Sequence, residues 1–167
     1  ANNMYYLNWK KTDLLDGIVV YDDFLNKYYA YGSQDETAYS QGYLRTSDNG
    51  INWEDYGPLS GDLFRTSVTD MTAGFYNGAR RFVAIGKGYG ATITDLYVST
   101  SADFITWTTP TKNSNLSNRQ SCYGLAYGNN KFIALLDLNF ISTSSNGTSW
   151  TALTQLADDN LDANSIC

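Results

Sequence analysis

Ile51-Asn52-Trp53 is one of four similar phrases that end in tryptophan and divide this sequence into repeats. The others are Leu7-Asn8-Trp9, Ile105-Thr106-Trp107 and Thr148-Ser149-Trp150. They recur at intervals of roughly 45 to 55 residues, and such an interval indicates repetition of one small structural unit. We therefore infer the fold from this repeat.

A second phrase repeats in the same register and has the pattern of a β-hairpin. It consists of an apolar run, a turn rich in Asn, Gly or Asp, and a second apolar run that ends in alanine, at 21–30, 76–84 and 127–134. Turn residues of these types between apolar runs favour tight hairpins. The closing alanines follow the spacing of the tryptophans, so two independent markers share one period.

The composition assigns strands to these repeats. The chain has 14 tyrosines, 7 phenylalanines, 4 tryptophans and 14 glycines but only 2 prolines, and its aromatic and β-branched runs are short. We predict strand A at about 17–21, 70–76 and 122–127, strand B at about 27–32, 80–86 and 131–136, strand C at about 42–47, 95–100 and 139–143, and strand D directly after each tryptophan. Four strands in a repeat of this length are typical of a β-propeller blade.

The predicted fold class is all-β, a propeller of four-stranded antiparallel blades. Three complete blades span about 16–67, 68–120 and 121–157, while 1–10 read as the end of a preceding blade and 162–167 as the start of a following one. A closed propeller needs at least four blades. We therefore expect either that the chain is part of a larger propeller, which we favour, or that copies associate to close a ring.

The stretch Thr46–Trp53 resembles the Asp-box, or BNR repeat, of sialidase-like propellers. The family pattern is Ser/Thr-x-Asp-x-Gly-x-Thr/Ser-Trp, and the box lies at the turn between strands C and D of a blade. The resemblance implies that Asp48 accepts hydrogen bonds from N–H groups of the turn, that Gly50 has a positive φ and that Trp53 packs between blades.

The two later copies of the box are incomplete. The last copy keeps Gly147 and Trp150 but has Ser145 at the Asp position, and the middle copy keeps little beyond Trp107 and the threonine before it. The structural box residues implied by the resemblance are thus Asp48, Gly50, Trp53, Trp107, Gly147 and Trp150. Proteins of this family include sialidases, receptors, assembly factors and phage or bacterial surface proteins, so the fold does not select a function.

Charge and residue usage exclude several classes of function. The net charge is −6 with a sequence pI near 4.4, which argues against a protein that binds nucleic acid by neutralising phosphates. The sequence has no histidine, which removes histidine-based catalysis and most zinc sites. Cys122 and Cys167 have no metal-binding or redox spacing, and Cys122 reads as a buried thiol. We predict no metal, no cofactor and no membrane span.

Candidate binding residues lie in the D–A and B–C loops, which form the active face in sialidase-like propellers. Arg65 and Arg119 lie in D–A loops, and Tyr39 and Tyr89 lie in B–C loops beside amide side chains. A sialidase needs three arginines around the substrate carboxylate, and only two of the five arginines here come from suitable loops. Aromatic rings with amide and hydroxyl groups suit a glycan or a protein surface.

Two functions remain open at this point. The first is a non-enzymatic binding or structural propeller of a virion (tail, fibre or capsid decoration) or cell surface, which engages glycans or neighbouring subunits and self-associates. The alternative is a sialidase-like glycoside hydrolase whose other catalytic residues lie outside this segment. The acidic, Asn- and Tyr-rich composition favours the first and an extracellular or virion setting.

Overall fold

The computed structural model describes residues 15–33, 43–58, 67–87, 95–119 and 121–156, and within them it contains three four-stranded sheets. The sheets follow one another along the chain, and we call them blades 1, 2 and 3. Their strands are β1 (Leu15–Asp22), β2 (Lys27–Ser33), β3 (Tyr43–Ser47) and β4 (Glu54–Pro58); β5 (Ser67–Tyr76), β6 (Ala79–Lys87), β7 (Asp95–Ser101) and β8 (Thr111–Ser117); and β9 (Cys122–Gly128), β10 (Lys131–Leu136), β11 (Phe140–Ser144) and β12 (Thr154–Gln155).

All described strand pairs are antiparallel, and each blade is a simple meander in which neighbouring strands are consecutive in the chain. The predicted class, an all-β propeller of four-stranded antiparallel blades, is confirmed. The partial blades predicted at 1–10 and 162–167 lie outside the described residues. A short 3-10 turn, Asp137–Asn139, joins β10 to β11.

The hairpins between the first two strands of blades 2 and 3 turn on residues with positive φ. Asn77 and Gly78 have φ values of 53° and 72°, and Asn129 and Asn130 have values of 49° and 58°. Positive φ at both central residues matches the twist of the flanking strands, which is why Asn and Gly mark these turns in the sequence. The hairpin of blade 1 has a longer turn that ends at Asn26, with φ 47°.

The hydrophobic core lies between blades. Side chains of a strand alternate between two faces; we call the face toward the next blade the front face and the opposite one the back face. Tyr29 and Leu44 on the front of blade 1 pack with Met71 and Phe82 on the back of blade 2. A second cluster joins the front of blade 2 to the back of blade 3 in the same way. Blade 2 is thus covered on both sides, which explains the unbroken buried run 82–86 in β6.

The turn between the third and fourth strands of blade 1 is held by Asn49 rather than Asp48. Asn49 Oδ1 accepts hydrogen bonds from the N–H groups of Ile51 and Asn52, both at 2.9 Å, and Ser47 Oγ accepts one from the Gly50 N–H at 2.9 Å. The Asp48 side chain is 85% exposed, and its carboxylate lies 3.7 Å from Lys27 Nζ. The role that the Asp-box resemblance implied for Asp48 is therefore corrected.

The other two turns use the residue that corresponds to Asn49. Asp103 Oδ1 accepts from the N–H groups of Ile105 and Thr106 at 2.8 and 2.7 Å. Asn146 Oδ1 accepts from those of Thr148 and Ser149 at 2.9 and 2.8 Å. The copy in blade 2, which looks degraded in sequence, therefore makes a complete turn.

Glycine and tryptophan keep their implied places in these turns except at Phe104 in blade 2 and at Trp53 in blade 1. Gly50 and Gly147 have φ values of 71° and 78°, but blade 2 has Phe104 at this position with φ 66°. Trp150 is buried in the core between blades 2 and 3, and Trp107 packs against the core between blades 1 and 2. Trp53 is only half-buried and lies beside Tyr28, with 6.5 Å between ring centroids.

Candidate binding face

The first strand of each blade (β1, β5 and β9) lies against the first strand of the neighbouring blade, and we call it the inner strand. Each inner strand carries a β-bulge near its beginning. Pairing with the second strand shifts between Leu15 and Ile18, between Val68 and Asp70, and opposite Leu135 and Leu136, which pair with Gly124 and Cys122. A bulge inserts an extra residue and redirects its neighbours, and bulges are common beside functional sites. The three bulges lie at the same end of the three inner strands. We call this end, where the second strands end and the third strands begin, the bulged face.

Asp70 at the bulge of blade 2 joins the inner strands of two blades. Its Oδ2 accepts a hydrogen bond from Leu125 N–H in β9 at 2.6 Å, and its Oδ1 accepts one from Met71 N–H at 2.8 Å. Burial raises the pKa of this carboxyl, and the two N–H groups offset only part of that rise. Asp70 is a partly buried carboxyl whose protonated form is favoured more than in water.

The bulge of blade 3 displays an aromatic ring. Tyr123 is the extra residue there and is 48% exposed. The preceding Cys122 is buried, and burial raises the pKa of its thiol to about 12. The bulge therefore places an exposed phenol directly beside an inert thiol of the core.

Arg119 lies on the connection from blade 2 to blade 3 at the bulged face. Its guanidinium carbon lies 4.5 Å from the centroid of the Phe140 ring at the start of β11. The N–H of Asp137 donates to the carbonyl of Ser121 at 3.1 Å, so this connection and the turn before β11 are in direct contact. Stacking on an aromatic ring fixes the plane of a guanidinium. Arg119 Nε and Nη1 are buried and have no hydrogen-bond partner among the described residues.

The four residues predicted to bind a ligand have different outcomes. Arg119 lies at the bulged face, three residues before β9. Arg65, Tyr39 and Tyr89 lie outside the described residues, so their predicted roles stay predictions. The sequence analysis does not identify Asp70 or Tyr123 as candidates, because a bulge is a shift in strand pairing that the sequence does not show. Asp70 could have been noticed in the sequence because it is a charged residue at the start of the predicted strand 70–76.

A depression lies at the end of blade 1 opposite the bulged face, beside the turn between β3 and β4. It has a volume of about 200 Å³, and it is lined by Lys27, Thr46, Ser47, Asp48, Asn49, Asn52 and Glu54. Several of these polar groups are already bonded within the turn or paired, as Lys27 is with Asp48.

Among the described residues, no cluster of three acidic or cysteine side chains is arranged to hold a metal ion, and no helix has the length and hydropathy of a membrane span.

The fold is similar to that of several solved glycoside hydrolases and phosphorylases. A β-1,2-mannobiose phosphorylase from Listeria innocua aligns with a TM-score of 0.57 and 12% identity, over 85% of this chain and 44% of that one. A glycosyl hydrolase from Bacteroides ovatus aligns with a TM-score of 0.55 and 14% identity, over 88% and 52%. A family 117 glycoside hydrolase from the marine bacterium Zobellia galactanivorans aligns with a TM-score of 0.52 and 13% identity, over 86% and 47%.

These similarities establish the β-propeller fold of the chain. The chain spans between 34% and 52% of the length of these and other solved structures of similar fold. A scan of protein-family models found no matching family, and a search of curated proteins found no matching sequence.

Proposed function

We propose that this protein is a non-enzymatic carbohydrate-binding β-propeller that engages glycans through its bulged face, as part of a virion or a cell surface. The observation that carries the proposal is the repetition of one bulge in all three blades, at the end where Arg119 stacks on Phe140 and Tyr123 is exposed. The solved proteins of similar fold support it, because they include a β-1,2-mannobiose phosphorylase in complex with β-1,2-mannobiose and a fructofuranosidase in complex with fructose.

The chemistry of these side chains suits a sugar. An exposed tyrosine offers a flat apolar ring and a hydroxyl at low entropic cost. The stacked guanidinium of Arg119 is held in a fixed plane, and its buried Nε and Nη1 have no hydrogen-bond partner among the described residues, so they remain donors for a sugar oxygen that enters this site. Tyr123 and Arg119 lie on adjoining segments of the bulged face. The Tyr123 ring provides contact area, and the Arg119 guanidinium provides orientation.

A glycan array with the purified protein tests this function, with Tyr123→Ala and Arg119→Ala as variants. We expect each variant to weaken binding to any selected glycan by about tenfold or more, in line with the loss of a central contact. Tyr56→Ala is the matched control, because Tyr56 is equally exposed but lies on β4, the last strand of blade 1. Flat binding across the array, or equal loss in the control, would contradict glycan recognition and leave association with neighbouring subunits as the role of these loops.

A glycoside hydrolase is the second candidate, and Asp70 is the observation that favours it. In glycoside hydrolysis the general acid is a carboxyl group that stays protonated because its pKa is raised. A second carboxylate acts as the base or the nucleophile. Fluorogenic sialosides and β-mannosides are suitable substrates for an assay. Turnover that is lost in Asp70→Asn, while the variant stays folded, would support the enzyme; absence of turnover in the full-length protein would end this alternative.

A further inference from the structure

The back face of blade 1 is apolar and exposed at a position that is buried in both other blades. Val19, Met71 and Leu125 correspond, because they pair with the corresponding alanines Ala30, Ala84 and Ala134. Met71 and Leu125 are 4% and 6% exposed, because the front face of the preceding blade covers them. Val19 is 45% exposed.

Two further positions of this face show the same difference. Ile51 is 46% exposed, whereas the corresponding Ile105 packs against the core between blades 1 and 2. Tyr21 is also exposed, and the corresponding Tyr127 packs against the core between blades 2 and 3. Exposed apolar residues that form one patch indicate a site of interaction, whereas scattered ones do not.

The front face of blade 3 has the complementary property. Ile133 and Ile141 are half-buried, while the residues that correspond to them in blade 2, Val83 and Val98, are buried against blade 3. Leu135, the third member of this row, is buried already. Each end of the described series of blades therefore presents one half of the interface that joins the blades inside it.

We propose that the back face of blade 1 binds the front face of blade 3 of a second copy of this chain, head to tail. Continuity with the two internal interfaces supports this partner, since both join a front face to the back face of the following blade. The proposed contact would also include an ion pair on blade 1 that the internal interfaces lack at the corresponding position. Arg45 pairs with Asp55 at 2.7 Å on blade 1, where the corresponding Ser99 and Ser142 are buried between blades.

A head-to-tail contact differs from a two-fold one in a testable way. The two surfaces are different, so each copy has one of each, and association continues until a ring closes. Damage to either surface blocks the contact. Two differently damaged copies still share one intact pair of surfaces, and a mixture of them regains one contact.

Sedimentation equilibrium of the 167-residue chain provides the test, with Val19→Asp and Ile141→Asp as variants. We expect the chain to associate at concentrations up to about 100 µM, and each variant to associate at least about tenfold more weakly, because an unpaired charge would be buried. An equimolar mixture of the two variants should form a dimer and nothing larger. Leu138→Asp, at an exposed apolar residue in the turn between β10 and β11 rather than on a strand, is the control and should associate like the unaltered chain.

Circular dichroism must first show that each variant keeps its strands, and Tyr21→Lys replaces Val19→Asp if that variant fails to fold. A chain that stays at 18.6 kDa throughout the concentration range would overturn the proposal and assign the back face of blade 1 to another partner. Association that survives Val19→Asp and Tyr21→Lys would also overturn it. Association that Val19→Asp abolishes and Ile141→Asp leaves unchanged would replace the head-to-tail contact with a two-fold contact between two back faces.

Discussion

Single residues decide the geometry of the three turns between the third and fourth strands. In each turn, a serine and an Asn or Asp two positions later accept hydrogen bonds from backbone N–H groups that the strands leave unpaired. Asn49, Asp103 and Asn146 are therefore interchangeable in geometry, although only one of them carries a charge. This equivalence leads to two predictions.

Asn49→Ala should destabilise the protein more than Asp48→Ala. Loss of Asn49 leaves the N–H groups of Ile51 and Asn52 to water, and we expect a cost of about 1 kcal/mol in the free energy of unfolding, as for other short side chains that bond a turn or cap. Asp48 makes only an exposed ion pair with Lys27, so its loss should cost less than about 0.5 kcal/mol. Denaturant unfolding of both variants measures the difference, and a larger loss in Asp48→Ala would restore the Asp-box register.

Asp103→Asn should make the protein less sensitive to acid. Burial raises the pKa of Asp103, but the N–H groups of Thr106 and Ile105 and the Ser101 hydroxyl lower it by more, so the pKa lies below its usual value of 3.8. The ionised carboxylate thus stabilises the fold above the unfolded pKa, and that stabilisation is lost as the pH falls through the lower folded pKa. Urea unfolding from about pH 6 to about pH 3 should show a shallower fall for the variant than for the unaltered chain. Equal slopes would mean that Asp103 does not stay charged in the turn.

The register of the turns could have been predicted from the sequence, but the bulges could not. Position 49 aligns with Asp103 and Asn146, whereas position 48 aligns with Ala102 and Ser145, so the three copies together identify the acceptor. A single motif was misleading because blade 1 has two adjacent side chains able to accept. Asp70 depends on a partner 55 residues away in another blade, and no local pattern encodes that contact.

At the scale of the element, the hairpin of blade 1 is fastened to the hairpin of blade 2 by a buried ion pair. Asp22 is fully buried, and its Oδ1 accepts from the N–H groups of Phe24 and Leu25 and pairs with Arg80 of blade 2. The Arg80 guanidinium also lies 5.1 Å from the Phe24 ring and 5.2 Å from the Phe75 ring. The sequence predicts Arg80 at the start of a strand, and no local pattern indicates that its partner is Asp22.

Asp22→Ala should be strongly destabilising, because it leaves the Arg80 charge buried without a counter-ion. We expect a loss of about 3–5 kcal/mol for this variant. Adding Arg80→Met should recover part of that loss, since the pair is then replaced by apolar groups. A double-mutant cycle from denaturant unfolding measures the coupling, and losses that simply add would show that the two side chains act independently.

At the scale of the whole molecule, the described blades form a series in which stability resides in the junctions. Each blade contributes a front and a back, and the buried clusters lie between sheets rather than within one. The period of the tryptophans and alanines predicted this arrangement because repeating side chains meet repeating surfaces. The binding loops have no such period, and three of the four residues predicted there lie outside the described residues.

Cys122 should report opening of the junction between blades 2 and 3. Its thiol is buried there with a pKa near 12, so in a Cys167→Ser background we expect no reaction with a thiol reagent until the junction opens. A variant with Cys122→Ser and Tyr123→Cys in the same background is the control, because residue 123 is exposed and should react at once. Labelling of Cys122 as fast as that of the control would show that the junction opens without unfolding of the protein.

Phe104 and Gly147 give each junction an individual shape. Both follow the acceptor of their turn, but Phe104 stacks on Tyr29 of blade 1 with 4.6 Å between ring centroids, whereas a Cβ on Gly147 would come within 2.5 Å of Val83 Cγ2 in blade 2. Tyr29 and Val83 themselves correspond in the two blades. The blades are therefore not interchangeable modules, even though a common repeat built them. A gene rearrangement that placed blade 3 after blade 1 would set the Tyr29 ring against the space beside Gly147, and one that duplicated blade 2 would set the Val83 methyl group against the Phe104 ring, so each junction must evolve as a pair.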